Sequence, residues 1–186
     1  FINSLREEGY IKQDPYTGKY SLTLKLLSLS KSIINNLKIK NQLQPFLLRL
    51  SKRIKGIIYR SIMSSNNKIY CIDKIESKNL SQSSIEKAQT FSLHNSPSGK
   101  IIAADMSWSK VINLLEKENI NSTQKQEEYM DKLYKARKKG YAFEKKEIDK
   151  RKENIYNISV PIKNAEGKTV ASLGMMCLKE EFPKNN

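Results

Sequence analysis

Phe91-Ser-Leu-His-Asn-Ser-Pro-Ser-Gly-Lys-Ile-Ile-Ala-Ala-Asp-Met106 changes character at its middle. It opens as extended chain, breaks at Pro97 and turns apolar from Ile101. Ser96, Pro97, Ser98 and Gly99 have the composition of a helix start: a capping hydroxyl, proline at the first helical position, then small residues. Small residues there leave backbone N–H groups open to a ligand, and the helix dipole favours an anion at that end. The stretch reads as the floor of a pocket for a small acidic metabolite. An ordinary strand–loop–helix junction would use the same residues.

The flanks set the fold class. Downstream, Ser107 caps a second helix with Trp108, Val111, Ile112 and Leu115 as its buried face. Gln124–Lys139 is a charged helix carrying Met130, Leu133, Tyr134 and Arg137, ended by Gly140. Tyr141–Glu147 reads as a strand and residues 150–154 as a basic loop. Strands Ile155–Ile162 and Thr169–Leu178 are joined by the turn Asn164-Ala-Glu-Gly167. Upstream, Ile57–Ser64 and Lys68–Glu76 form a hairpin about Asn66-Asn67, with Ile69, Cys71 and Asp73 on one face. Residues 77–90 read as a polar loop leading into a third strand near 83–93. A helix over 38–55 has Leu43, Leu47 and Leu50 as its stripe, with Pro45 marking a start near Gln44 or a kink. Helices on one side of a mostly antiparallel sheet make an α+β, sensor-like domain.

Residues 22–36 hold Leu22, Leu26, Leu29 and Ile33 at helical spacing, with Leu24, Leu27 and Ile34 beside them. That coverage is too broad for one exposed helix. It suits a linker helix packed in its own subunit, alone or with a second subunit on its other side. Before it, Phe1, Ile2 and Leu5 share a helix face that stops at Gly9. A hairpin follows, with Asp14-Pro15 and Thr17-Gly18 at its turn and Lys12 and Lys19 near its tip. Helix then basic hairpin is the tail of a winged helix, whose wing lies on DNA; a generic helix–hairpin has the same outline. Phe1 is not an initiator methionine, so the sequence reads as a piece of a longer chain.

The 186 residues carry a net charge of +15. Residues 1–60 hold 12 Lys and Arg against three acids, so the excess is densest there. Such a balance favours nucleic acid or another polyanion, whereas lysines spread evenly are only solvation. No apolar run approaches the roughly 18 residues of a membrane span. Cys71 and Cys177 both sit in strand-like runs, as buried thiols of a cytoplasmic protein do. The single histidine, His94, makes no metal cluster with them, and no nucleophile elbow, phosphate loop or dinucleotide fingerprint is present. The sequence supports no enzyme, cofactor or metal.

Six separated pieces then fit one pattern in order. Leu5–Ile11 with Asp14–Leu22, Ile69–Ser77, Leu93–Lys100, Arg137–Ala142 and Val160–Ala171 together resemble the IclR family of bacterial and archaeal transcriptional regulators. The resemblance implies three regions: residues 1–21 as the end of a winged helix-turn-helix, 22–36 as a linker helix, and 37–186 as an effector-binding domain similar to GAF and PAS sensors. It implies a homodimer or homotetramer on operator DNA, with Lys12 and Lys19 on phosphates. It also implies a small-molecule effector, an organic acid or a related molecule. Carried over, Asn95, Ser96, Ser98 and Gly99 fall on the effector loop. Asp149 falls on an acidic strand-end position, and Asn157 where many members have a pocket cysteine.

Gly174 and Met176 stand where many members carry serines that hold a carboxylate. Carboxylate recognition by side chains is thereby weakened, and Met63, Met175, Met176 and Ile158 nearby suit a less polar ligand. The functional expectation is a regulator that couples effector binding to oligomer arrangement and operator binding. The competing class is a stand-alone GAF-like sensor or interaction module with no DNA role.

Overall fold

The computed structural model describes residues 1–28, 38–76, 89–148 and 153–182. The chain divides into two compact units, Phe1–Pro45 and Phe46–Asn186.

In the first unit, helix α1 (Ile2–Glu7) ends at Gly9, whose φ of +68° is the left-handed turn a glycine takes without a Cβ penalty. Strands β1 (Ile11–Gln13) and β2 (Tyr20–Leu22) pair antiparallel with Lys12 opposite Ser21. Asp14 Oδ1 accepts the N–H groups of Tyr16 and Thr17 at 2.9 and 2.8 Å, closing the turn. Thr23 donates through Oγ1 to the Gly9 carbonyl at 2.5 Å, tying the hairpin end to the helix end. Of the expected linker helix, residues 25–28 are helical and 29–36 lie outside the described residues.

Helix α2 (Lys38–Ser51) holds Pro45 inside it. Gln44 is therefore not its start.

The second unit is a six-stranded antiparallel sheet in the order β5-β4-β3-β8-β7-β6. Its strands are β3 (Ile57–Met63), β4 (Ile69–Glu76), β5 (Thr90–Phe91), β6 (Ala142–Ile148), β7 (Glu153–Lys163) and β8 (Thr169–Leu178). Of the third strand expected near 83–93, only Thr90–Phe91 falls on described residues as strand. Helices α3 (Pro97–Ala103), α4 (Trp108–Lys117) and α5 (Thr123–Lys139) complete it, and α3 packs on β6, β7 and β8 and against α5. The core joins Ile69 and Leu93 to Ile101, Ile102, Val111, Leu115, Tyr129, Leu133 and Ala136.

Two expectations change. Trp108 is exposed at the start of α4, whose buried face is Val111, Leu114 and Leu115, and Arg137 partly covers its ring from 5.4 Å. The β3–β4 register slips between Arg60 and Ser61, so Arg60 lies opposite Asp73 and Ser61 opposite Cys71. Cross-strand partners share a face. The slip therefore parts Cys71 from Asp73, which pairs instead with the fully buried Arg60 on the other face.

Candidate effector site

Strand alternation lines up one sheet face beneath α3. Tyr59 and Ser61 come from β3, Ser172, Gly174 and Met176 from β8, and Asn157 and Ser159 from β7. Tyr59 lies opposite Gly174 and Ser61 opposite Ser172 in the β3–β8 register. In the β7–β8 register, Ser159 lies opposite Gly174 and Asn157 opposite Met176.

Helix α3 is held over this face by its own first turn. Ser96 is extended at φ −143° and ψ 145°, and its Oγ accepts the Gly99 N–H at 3.0 Å. The same hydroxyl donates to the Ser92 carbonyl at 2.8 Å, and the Lys100 N–H bonds the Ser96 carbonyl at 2.9 Å. Pro97 has no N–H. The helix start thus satisfies most of its own amides, which narrows the anion-floor reading. Gly99 is there for proximity: a Cβ would come within 2.2 Å of the Leu93 carbonyl oxygen.

Ser98 is fully buried and reaches the sheet. Its Oγ is 3.0 Å from Ser159 Oγ and 3.5 Å from the Tyr59 hydroxyl. The Tyr59 hydroxyl donates to Asn157 Oδ1 at 2.7 Å. Burial raises the Tyr59 pKa above the ordinary phenol value, although the bonds to Ser159, Ser98 and Asn157 oppose that rise. The ring tilts against Phe91 at 5.7 Å and packs with Cys71 and Met176. The result is a buried polar hub made only of uncharged groups.

Of the residues singled out from the sequence, Ser98 and Asn157 meet in this hub. Gly174 and Met176 lie under and beside the Tyr59 ring. Ser96 and Gly99 hold the helix in place. Asn95 is exposed, with its N–H on Ser92 Oγ at 3.3 Å. Asp149 lies outside the described residues. Met175 lies opposite Ile158, one residue out of phase with Met176 and Asn157, so it turns to the other face. Lys12 and Lys19 are exposed on the first unit's hairpin. Sequence reading missed Tyr59, Ser61, Ser159 and Ser172. The signal was polar residues at alternate strand positions, Tyr59-x-Ser61 and Asn157-x-Ser159.

His94 has another task. Its Nδ1 lies 2.5 Å from Glu118 Oε2 and 2.8 Å from Ser92 Oγ, while Glu118 Oε1 accepts the Leu93 N–H at 3.0 Å. A nucleophilic relay needs the acid and the serine on opposite ring nitrogens. Here both meet Nδ1, so the cluster clamps the strand end that leads into α3. Among the described residues no three His, Cys, Asp or Glu side chains gather as metal ligands, and no helix is long and apolar enough to cross a membrane.

Comparison with known proteins agrees with this architecture. The family described as "Bacterial transcriptional regulator IclR C-terminal" matches residues 31–186. The HTH-type transcriptional regulator XynR of Escherichia coli is 25% identical over 182 residues, covering 95% of this chain and 71% of that protein. KdgR of Dickeya chrysanthemi, also an HTH-type transcriptional regulator, is 24% identical, covering 100% of this chain and 61% of its own length. The crystal structure of an IclR transcriptional regulator from Alicyclobacillus acidocaldarius superposes with a TM-score of 0.75 at 19% identity, covering 98% of this chain and 74% of that one. These relatives are transcriptional regulators, not enzymes. Motif order, sheet and helices, and the match across residues 31–186 converge on one assignment: the chain belongs to the IclR family of transcriptional regulators.

Proposed function

We propose that this chain is the wing, linker and effector-binding region of a ligand-responsive, DNA-binding transcription regulator of the cytoplasm. The observation that carries the reading is the buried polar hub between α3 and the sheet, in a domain whose family regulates transcription. A small metabolite binds on that face. Lys12 and Lys19 of the β1–β2 wing contact DNA phosphates. The protein works as a homodimer or homotetramer, and the metabolite changes operator affinity because it prefers one subunit arrangement over another.

The test is operator binding by the full-length protein, read by fluorescence anisotropy across a salt series. Affinity falling steeply with salt, and shifting when metabolite is added, supports the reading. Lys12→Ala and Lys19→Ala should each weaken binding and reduce the salt slope by about 1. Absence of salt-dependent operator binding would leave a sensor or interaction module without a DNA role.

A further inference from the structure

Two groups on the same sheet face are not used by the hub. Ser61 and Ser172 are directly opposite each other across β3 and β8, and both are fully buried. Neither Oγ has a hydrogen-bond partner among the described residues. A buried polar atom left without a partner costs stability, so native proteins rarely keep one without a reason. Here the two residues lie directly opposite each other, with Cβ atoms about 4.5–5.5 Å apart as opposed residues are. Tyr59, two residues along β3, lies opposite Gly174, two residues along β8, and Ser159 of β7 lies opposite Gly174 from its other side.

We infer that this face takes a neutral, hydroxyl-rich ligand, with the Ser61 and Ser172 hydroxyls as its receiving groups. The inference rests on the effector-domain reading and names the ligand class for that site. A serine hydroxyl both donates and accepts, and a ligand hydroxyl complements it in either sense. The other polar groups on the face (Tyr59, Ser98, Asn157 and Ser159) are uncharged as well. The nearby charges are already committed. Arg60 pairs with Asp73 on the opposite face, and Lys100 pairs with Glu144 at 3.1 Å. In the first turn of α3 the Gly99 and Lys100 N–H groups are already spent on Ser96. A carboxylate buried here would lose its hydration without gaining a cation. A polyol loses less and finds two waiting partners. Entry requires α3 or the Tyr59 ring to move aside, so the ligand selects an opened arrangement, the differential affinity that regulation needs.

The experiment is a thermal-shift titration of the full chain with D-glucose, D-mannitol and myo-inositol, beside D-gluconate and citrate. At least one neutral polyol should raise the melting temperature by about 3–6 °C at about ten times its dissociation constant, while the two acids do not. Ser61→Ala and Ser172→Ala should each weaken that polyol's binding about tenfold. Both variants should leave the ligand-free melting temperature unchanged or higher, because each removes an unpaired buried hydroxyl. A shift with gluconate or citrate alone overturns the neutral-ligand inference and leaves the effector-domain reading standing. No shift with any of the five probes overturns it too, as do alanine variants that melt several degrees lower without ligand. The regulator reading falls on a separate measurement, the absence of salt-dependent operator binding.

Discussion

The Tyr59 ring lies directly on the α-carbon of Gly174: a Cβ built at Gly174 would stand 2.2 Å from Tyr59 Cζ and 2.6 Å from both flanking ring carbons. No side chain fits there while the ring stays. The same ring carries the hydroxyl that bonds Asn157. A glycine on β8 and a tyrosine on β3 therefore set the hub's geometry together.

Gly174→Ala should push the Tyr59 ring off its seat and break its bond to Asn157. Overpacking of this kind costs about 1–3 kcal/mol. Urea denaturation measures it. The double variant Tyr59→Ala, Gly174→Ala should be less destabilised than the sum of the single variants, because the collision is gone once the ring is gone. Strict additivity would mean that the two residues do not touch.

Alkaline pH should unfold the domain through three groups. Burial raises the pKa of Tyr59, and burial followed by the Glu118 charge raises that of Tyr129. Burial, then the charge of Glu181, pushes the Cys177 thiol from 9.0 up to about 11. All three bind their protons more tightly folded than unfolded. Their contribution is whole below the unfolded values, near 9.0 for the thiol and 10.0 for the phenols, and is lost as pH rises through the folded ones. Denaturation midpoints should hold to about pH 9 and then fall. Tyr59→Phe should flatten the fall above about pH 10, while costing about 1–2 kcal/mol at neutral pH for the unpaired Asn157 oxygen.

Local signals made most of the fold legible. The turn Asn164–Gly167 closes the β7–β8 hairpin with Gly167 at φ +76°, and the predicted ends of β8, Thr169 and Leu178, are the observed ones. Ser96 and Gly140 cap their helices as their residue types require. What alternation cannot carry is a one-residue slip, and the slip beside Arg60 sent Asp73 to the other face. A Trp covered by an Arg from another helix is equally invisible, since its apparent apolar role is met by a cation–π contact. The hub was half legible. Ser98 and Asn157 stood out, whereas Tyr59 takes its role from a glycine far along the chain, and the local alternation Tyr59-x-Ser61 marks a shared face without naming that partner.

Gly99→Ala should be the more damaging glycine change. The added carbon would meet the Leu93 carbonyl oxygen at 2.2 Å and the Ser92 carbonyl oxygen at 2.7 Å. Both are backbone atoms held in place, Leu93 through its carbonyl bond from Tyr129 and its N–H bond to Glu118. A backbone that cannot yield makes the cost about 3 kcal/mol or more, against the 1–3 kcal/mol or so where a side chain can move. Equilibrium denaturation of both variants, side by side, tests the order. If Gly99→Ala is the milder of the two, the close crossing of α3 over residues 92–93 is wrong.

Acid should loosen the same crossing through Glu118. Burial works to raise its pKa, but the bonds from His94, the Leu93 N–H and Ser92 outweigh that, and the net shift is downward from 4.5. A depressed carboxylate contributes stability above its unfolded pKa and loses it as pH falls through the folded one. The wild type should therefore weaken as pH drops below about 4.5, and Glu118→Gln should show a shallower loss over that range. Near neutral pH the variant keeps an acceptor for the Leu93 N–H but gives up the charge, at a cost of about 1–2 kcal/mol. Urea midpoints between about pH 3 and pH 7 separate the two effects: a constant offset would assign Glu118 a packing role only, whereas an offset that closes toward low pH assigns the stability to the ionised carboxylate.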